Sequence, residues 1–120
     1  MSDAFYDHIY EYLRYKYATR NAIIKKRKHE FNVQIKSKTQ TITVQETLNN
    51  VTNTHIYCKN TKQNVQFLLN HWQEFSKLLD CKVTFFNDQT QTQWSIYPHA
   101  HAKITPDVAK SVTILFENNS

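Results

Sequence analysis

The amino-acid sequence predicts a single domain of the α+β class that spans residues 1–120, with an antiparallel sheet covered by helices in two layers. Three observations lead to this expectation. The chain has 120 residues, a common size for one domain with one hydrophobic core. Two long segments place apolar residues at helical spacing, and the segments between and after them alternate apolar and polar residues as strands do. The predicted order is therefore α-β-β-β-α-β-β, followed by a last element that is either a helix or a strand.

The first helix is predicted from Asp3 to about Lys28, because no proline interrupts this segment and its apolar residues follow helical spacing. After it, residues 31–35 and 42–44 alternate with a period of two, which predicts two strands joined by a turn near Ser37. A third strand is expected over residues 54–58. The apolar stripe of the helix consists of Tyr6, Tyr10, Leu13, Tyr17 and Ile24.

The second helix has the clearest pattern in the sequence, a single apolar stripe that predicts one helix at the centre of the core. Residues 82–86 and 93–97 then predict a hairpin closed by the polar turn 87–91. At the end of the chain, Thr105, Pro106 and Asp107 can start a helix, whereas residues 112–116 have the composition of a strand. The stripe of the second helix consists of Val65, Leu68, Leu69, Trp72, Phe75 and Leu79.

The predicted order of elements resembles that of small secretion chaperones and, over its first five elements, that of the double-stranded-RNA-binding domain. The resemblance does not extend to motifs. The chain contains no glycine, which is common in both groups, and its second helix lacks the Lys- and Ala-rich start of the RNA-binding module. We therefore assign no family.

The absence of glycine also argues against several kinds of enzyme. A Walker phosphate loop, a GxGxxG turn and a GxSxG elbow all depend on glycine. No spacing of residues positions a nucleophile with its base, so neither catalysis nor a cofactor is expected. Cys58 and Cys81 are too few for a disulfide framework, and no apolar run is long enough to cross a bilayer. These features predict a cytoplasmic protein without a membrane partner.

Positive charge is concentrated in one part of the chain. Residues 14–38 contain nine basic residues and one acidic residue, Glu30, whereas the rest of the chain has six basic and nine acidic residues. Such a segment, at the end of a helix and along a strand, predicts a non-enzymatic accessory protein that binds DNA or RNA by neutralising phosphates. Tyr15, Tyr17, His55 and Tyr57 are candidates for stacking on bases. The candidate nucleic-acid-binding residues are Arg14, Lys16, Arg20, Lys25, Lys26, Arg27, Lys28, Lys36 and Lys38.

Other interpretations of this pattern remain open. Basic residues favour helix C-termini, so the run from Lys25 to Lys28 is either a solvated helix end, a nuclear localisation signal or a binding site. An acidic protein partner would suit the same charge. The tyrosines of the first helix either form a homodimer or partner interface, or cover a wide sheet. The alternative function is therefore a protein-binding adaptor, inhibitor or chaperone-like module that uses an aromatic helix face or a sheet edge.

A second pattern is the pair His99 and His101. On a strand, both imidazoles would point to the same side and could chelate one divalent metal ion. The His-Ala-His pattern resembles the metal-binding strand of rolling-circle replication initiators, which implies a metal-dependent nuclease or nickase. Those enzymes need a tyrosine downstream of the histidines, whereas the last tyrosine here is Tyr97. A third ligand would have to come from Asp88 or His71, and the competing interpretation is two exposed histidines in a loop.

Overall fold

The computed structural model describes residues 3–120, and it confirms the α+β class: helices cover one six-stranded sheet. The helices are α1 (Asp3–Lys16), α2 (Lys62–Asn70), α3 (Trp72–Ser76), α4 (Pro98–Ile104) and α5 (Val108–Asn119). The strands are β1 (Ile23–Arg27), β2 (Glu30–Ile35), β3 (Lys38–Val44), β4 (His55–Lys59), β5 (Lys82–Asn87) and β6 (Thr92–Ile96). Within residues 3–120, no helix is both long enough and apolar enough to span a membrane.

The six strands lie in the sheet in the same order as in the chain. β3 and β5 each pair with β4 in the parallel direction, and the other three pairs are antiparallel. The sheet is therefore mixed. The alternation of apolar residues that predicts a strand carries no information about strand direction, because side chains point to alternate faces in either case.

The prediction that the first helix continues to Lys28 is wrong, because α1 ends at Lys16 and an additional strand, β1, follows. After α1 the backbone continues in tight turns, in which the N–H groups of Ala18 and Arg20 donate to the carbonyls of Tyr15 and Tyr17. Asn21, with a φ of 52°, then adopts a left-handed conformation that turns the chain towards β1. The β-branched pair Ile23 and Ile24 then enters a strand whose whole length pairs with β2. Ile24 still packs against the core on which the helical stripe lies, so its spacing misled the assignment of its secondary structure.

The second predicted helix is interrupted. His71 lies between α2 and α3 and separates them, because its φ of −113° and ψ of 23° are not helical. Leu79, which the apolar stripe includes, lies beyond the end of α3 and is 70% exposed. The end of the chain is helical rather than extended, because the Asp107 carboxylate accepts a hydrogen bond from the backbone N–H of Lys110 and caps α5.

Helices lie on both faces of the sheet, so the core has two parts. On one face, α1 packs over β2 to β5, with the aromatic rings of Tyr6 and Phe31 stacked 4.4 Å apart. On the other face, α2, α3 and α5 pack over β4 to β6. β4 is buried from both sides, since Ile56 and Cys58 join one part of the core and Tyr57 joins the other. This arrangement leaves the outer half of the sheet covered on the α1 side alone.

Candidate functional site

The side of β1, β2 and β3 that faces away from α1 is not covered by any of the described helices, and we call it the open face. The strand register and the alternation of side chains determine which residues point to it. The apolar residues of β2 and β3 point towards α1 and are buried, so the residues between them point outwards. The open face consists of Ile23, Lys25, Arg27, Glu30, Asn32, Gln34, Thr39, Thr41 and Thr43.

The basic run of β1 is divided between the two faces of the sheet. Lys25 and Arg27 point to the open face and are exposed. Lys26 points to the opposite face, where its Nζ lies 4.2 Å from the centre of the Tyr10 ring and 4.0 Å from Oδ1 of Asp7. The adjacent residues Lys25 and Lys26 therefore have different surroundings. Of the three cations of β1, Lys25 and Arg27 are available to a ligand on the open face.

Hydroxyl and amide groups fill the rest of the open face. The Thr41 hydroxyl donates to Oδ1 of Asn32 at 3.4 Å, and the Thr43 and Thr54 hydroxyls are 2.9 Å apart. Gln34 is exposed on the neighbouring position of β2. The acidic residue on this face is Glu30, which lies directly across from Arg27 in the β1 and β2 register and offsets part of its charge. The surface is thus mainly polar, with hydroxyl and amide hydrogen-bonding groups and one exposed apolar residue, Ile23.

Lys28 lines a cleft with Glu30 and Thr43 at one end of this surface, and the other predicted basic residues lie elsewhere. Arg14 forms an ion pair with Glu11 on α1 at 3.5 Å. Lys28 and Lys36 lie in the turns at the two ends of β2, and strand alternation places Lys38 on the α1 side. Because α1 ends at Lys16, Lys25 to Lys28 do not lie at a helix end as predicted, and they belong to β1 and the turn after it. The charge block of the sequence therefore divides into separate groups.

Three of the four aromatic residues proposed to stack on bases are buried. His55 and Tyr57 lie in β4 under α1 and are 5% and 1% exposed, and Tyr17 is buried as well, so that hypothesis is wrong for them. Tyr15 is exposed. Tyr6 and Tyr10 stack on Phe31, so these two tyrosines of α1 cover the sheet, whereas Tyr15 does not.

The predicted metal site is not assembled. Residues 98–104 form α4 rather than a strand, because Pro98 occupies the first turn of a helix. Positions two apart on a helix do not share a side, and His99 Nδ1 donates to the Ser76 carbonyl at 2.8 Å while His101 Nε2 lies 3.0 Å from the Ser111 hydroxyl. The proposed third ligands pair elsewhere, His71 with Glu74 and Asp88 with His8. Among residues 3–120, no three His, Cys, Asp or Glu side chains are placed to hold a metal ion.

A second polar cluster, centred on His55, was not found by sequence reasoning. Its ring lies 4.7 Å from that of Tyr57, and Nε2 lies 2.8 Å from the Thr84 hydroxyl. Burial, and then the positive charges of Lys82 and Lys16, lower the pKa of His55 to about 3, so the ring is neutral at physiological pH. Gln40 and Ser95 also belong to this cluster, through hydrogen bonds to His55 and Thr84. No local signal in the sequence identifies the cluster, because its members come from four strands, β3 to β6, and from α1.

Comparison of the chain with protein-family models, with curated proteins and with solved structures gave no match.

Proposed function

We propose that this protein binds nucleic acid through the open face, as a non-enzymatic accessory protein. The observation that carries the proposal is the combination of two exposed cations, Lys25 and Arg27, with hydroxyl and amide groups on the same face. Lysine and arginine neutralise backbone phosphates, and amide and hydroxyl groups donate hydrogen bonds to phosphate oxygens and to base edges. Lys28 and Lys36, in the turns at the two ends of β2, extend the positive charge beyond the strands.

The dimensions of the open face suit a groove of a duplex. β1 and β2 form a two-stranded ribbon at one edge of the sheet, with strands about 4.8 Å apart. The major groove of B-DNA is about 12 Å wide and admits a two-stranded β-ribbon. Asn32 and Gln34 lie on β2, where they would be closest to the base edges.

The alternative of a protein-binding module has less support. The aromatic face of α1 is used in the core, where Tyr6 and Tyr10 stack on Phe31. β1 is one of the two edge strands of the sheet, and its run of Lys25, Lys26 and Arg27 opposes the addition of a further strand there. Both cysteines are free and buried, which suits a reducing compartment such as the cytoplasm or nucleus.

A pair of charge-matched variants tests the proposal. We expect the double variant Lys25→Gln/Arg27→Gln to bind labelled DNA or RNA roughly tenfold more weakly at about 50 mM salt, because two phosphate contacts are lost. The slope of log K against log salt should become shallower by about 1.8 for the same reason. Fluorescence anisotropy over a salt series measures both quantities.

The control is the double variant Lys26→Gln/Lys103→Gln, which removes the same net charge from sites off the open face. Its affinity should stay close to that of the parent protein. No detectable binding at low salt, or an equal loss in both double variants, would refute the assignment. An equal loss would mean that net charge alone governs binding.

A further inference from the structure

Three cations, Lys16, Arg20 and Lys82, lie on the α1 side of the sheet near the C-terminal end of α1. Lys16 is the last residue of α1, and Arg20 lies in the turn after it, with its backbone N–H donating to the Tyr17 carbonyl at 3.1 Å. Lys82 begins β5 and lies beside His55 in the register with β4. The Nζ of Lys16 lies 5.4 Å from the Tyr17 ring centre, which holds this ammonium group on the same surface.

These cations have no acidic partner. Among the residues that the structure describes, no carboxylate oxygen lies within 4.0 Å of the charged groups of Lys16, Arg20 or Lys82. Burial lowers the pKa of Lys16, and the charges of Lys82 and Arg20 lower it further. Like charges held together in a partly buried place cost free energy. An anion between them would turn this repulsion into attraction.

The cluster also contains an oriented chain of hydrogen bonds. The side-chain amide nitrogen Nε2 of Gln40 lies 3.3 Å from Nδ1 of His55. Because the amide NH2 group can only donate, Nδ1 accepts this hydrogen bond and the ring carries its proton on Nε2. Nε2 then donates to the Thr84 hydroxyl, and that hydroxyl donates to the Ser95 hydroxyl 2.7 Å away. The proton of Ser95, which is exposed on this face of β6, is left to donate outwards. A neutral His55 thus adds a hydrogen-bond donor to the cluster without a fourth charge.

We propose that Lys16, Arg20 and Lys82, together with the Ser95 hydroxyl, form a binding site for a phosphate dianion. Three positive charges exceed the two negative charges of the dianion, and the guanidinium group of Arg20 can donate two parallel hydrogen bonds to phosphate oxygens. The ligand is a phosphate with one or no ester bond, so it is either inorganic phosphate or the terminal phosphate of a nucleotide. The site lies on the opposite side of the sheet from the open face and goes beyond the proposed function.

Thermal unfolding in phosphate and in chloride at equal ionic strength tests this site. A ligand that binds the folded state raises Tm, so inorganic phosphate should raise the Tm of the parent protein by several degrees relative to chloride. Lys82→Gln should abolish this rise while its Tm in chloride stays equal to that of the parent or higher, because the repulsion is relieved. Arg20→Gln, at an exposed turn position, should reduce the rise in the same way.

The control variant Lys103→Gln, on exposed α4, should keep the full response to phosphate. An equal rise with adenosine monophosphate would identify a terminal phosphate as a ligand, and a smaller rise would identify inorganic phosphate; either result supports the site. Equal Tm values in phosphate and chloride would overturn the proposal, as would a Lys82→Gln variant that keeps the phosphate response. The Lys25→Gln/Arg27→Gln variant should respond normally, which separates this site from the open face.

Discussion

Replacement of Asn64 by alanine is expected to lower the free energy of unfolding by roughly 3 to 5 kcal/mol, because three buried hydrogen bonds are lost. The side chain is 1% exposed, and its Nδ2 donates to the carbonyls of Glu46 and Lys59, each at 2.8 Å. Its Oδ1 accepts from the backbone N–H of Leu48, also at 2.8 Å. Asn64 therefore ties α2 to the end of β4 and to the loop that precedes this strand.

Urea denaturation measures this effect. The matched control is Asn70→Ala at the exposed end of α2, where the side chain accepts one exposed hydrogen bond from Gln66. Its cost should stay within about 0.5 kcal/mol, as for most surface substitutions. Equal costs for the two variants would show that the buried bonds of Asn64 contribute little to the stability of the fold.

The protein is also expected to lose stability on mild acidification because of His55. The folded state keeps this ring neutral down to a pKa of about 3, whereas in the unfolded chain it protonates near its ordinary value of about 6.5. Between these two values the unfolded state binds more protons, so stability falls as the pH drops through this window. From about pH 7.5 to pH 4.5 the loss attributable to His55 should be roughly 2.5 kcal/mol.

The variant His55→Gln isolates this contribution, because glutamine has no titratable group. Because the substitution also affects interactions that do not depend on pH, the quantity to compare is the change in unfolding free energy between the two pH values. That change should shrink by the amount given above in His55→Gln. It should be unaltered in His29→Asn, which replaces an exposed turn histidine by another residue that tolerates its positive φ. A His55→Gln variant as acid-sensitive as the parent protein would contradict the account.

Local patterns predicted the elements whose structure depends on neighbouring residues in the chain. The hairpin of β5 and β6 is such a case, because alternation and a polar turn specify it together. α1 was predicted too long because Tyr17 and Ile24 do pack on one core, one from the end of a helix and the other from a strand. Only the pairing of β1 with β2 distinguishes these two situations, and this pairing is a tertiary interaction.

The candidate sites were predictable to different extents. The charge block includes Lys25 and Arg27, the two cations of the proposed binding face. Which residues of the run Lys25 to Arg27 point to the open face depends on the register of β1 with β2, which the sequence does not show. The proposed phosphate site could not be predicted from the sequence, because Lys82 lies far along the chain from Lys16 and Arg20. The histidine pair failed as a metal site because Pro98 starts a helix there, which separates the two side chains.

Chemical-shift mapping of the protein with a short oligonucleotide at low salt is the most direct test of the open face. The proposal predicts that backbone amides of β1, β2 and β3 shift on binding, together with the side-chain amides of Asn32 and Gln34. The side-chain amides of Gln63 and Asn70, exposed on α2, should not move. Shifts concentrated on α2 and α5, with Asn32 and Gln34 unchanged, would contradict the assignment of nucleic-acid binding to the open face.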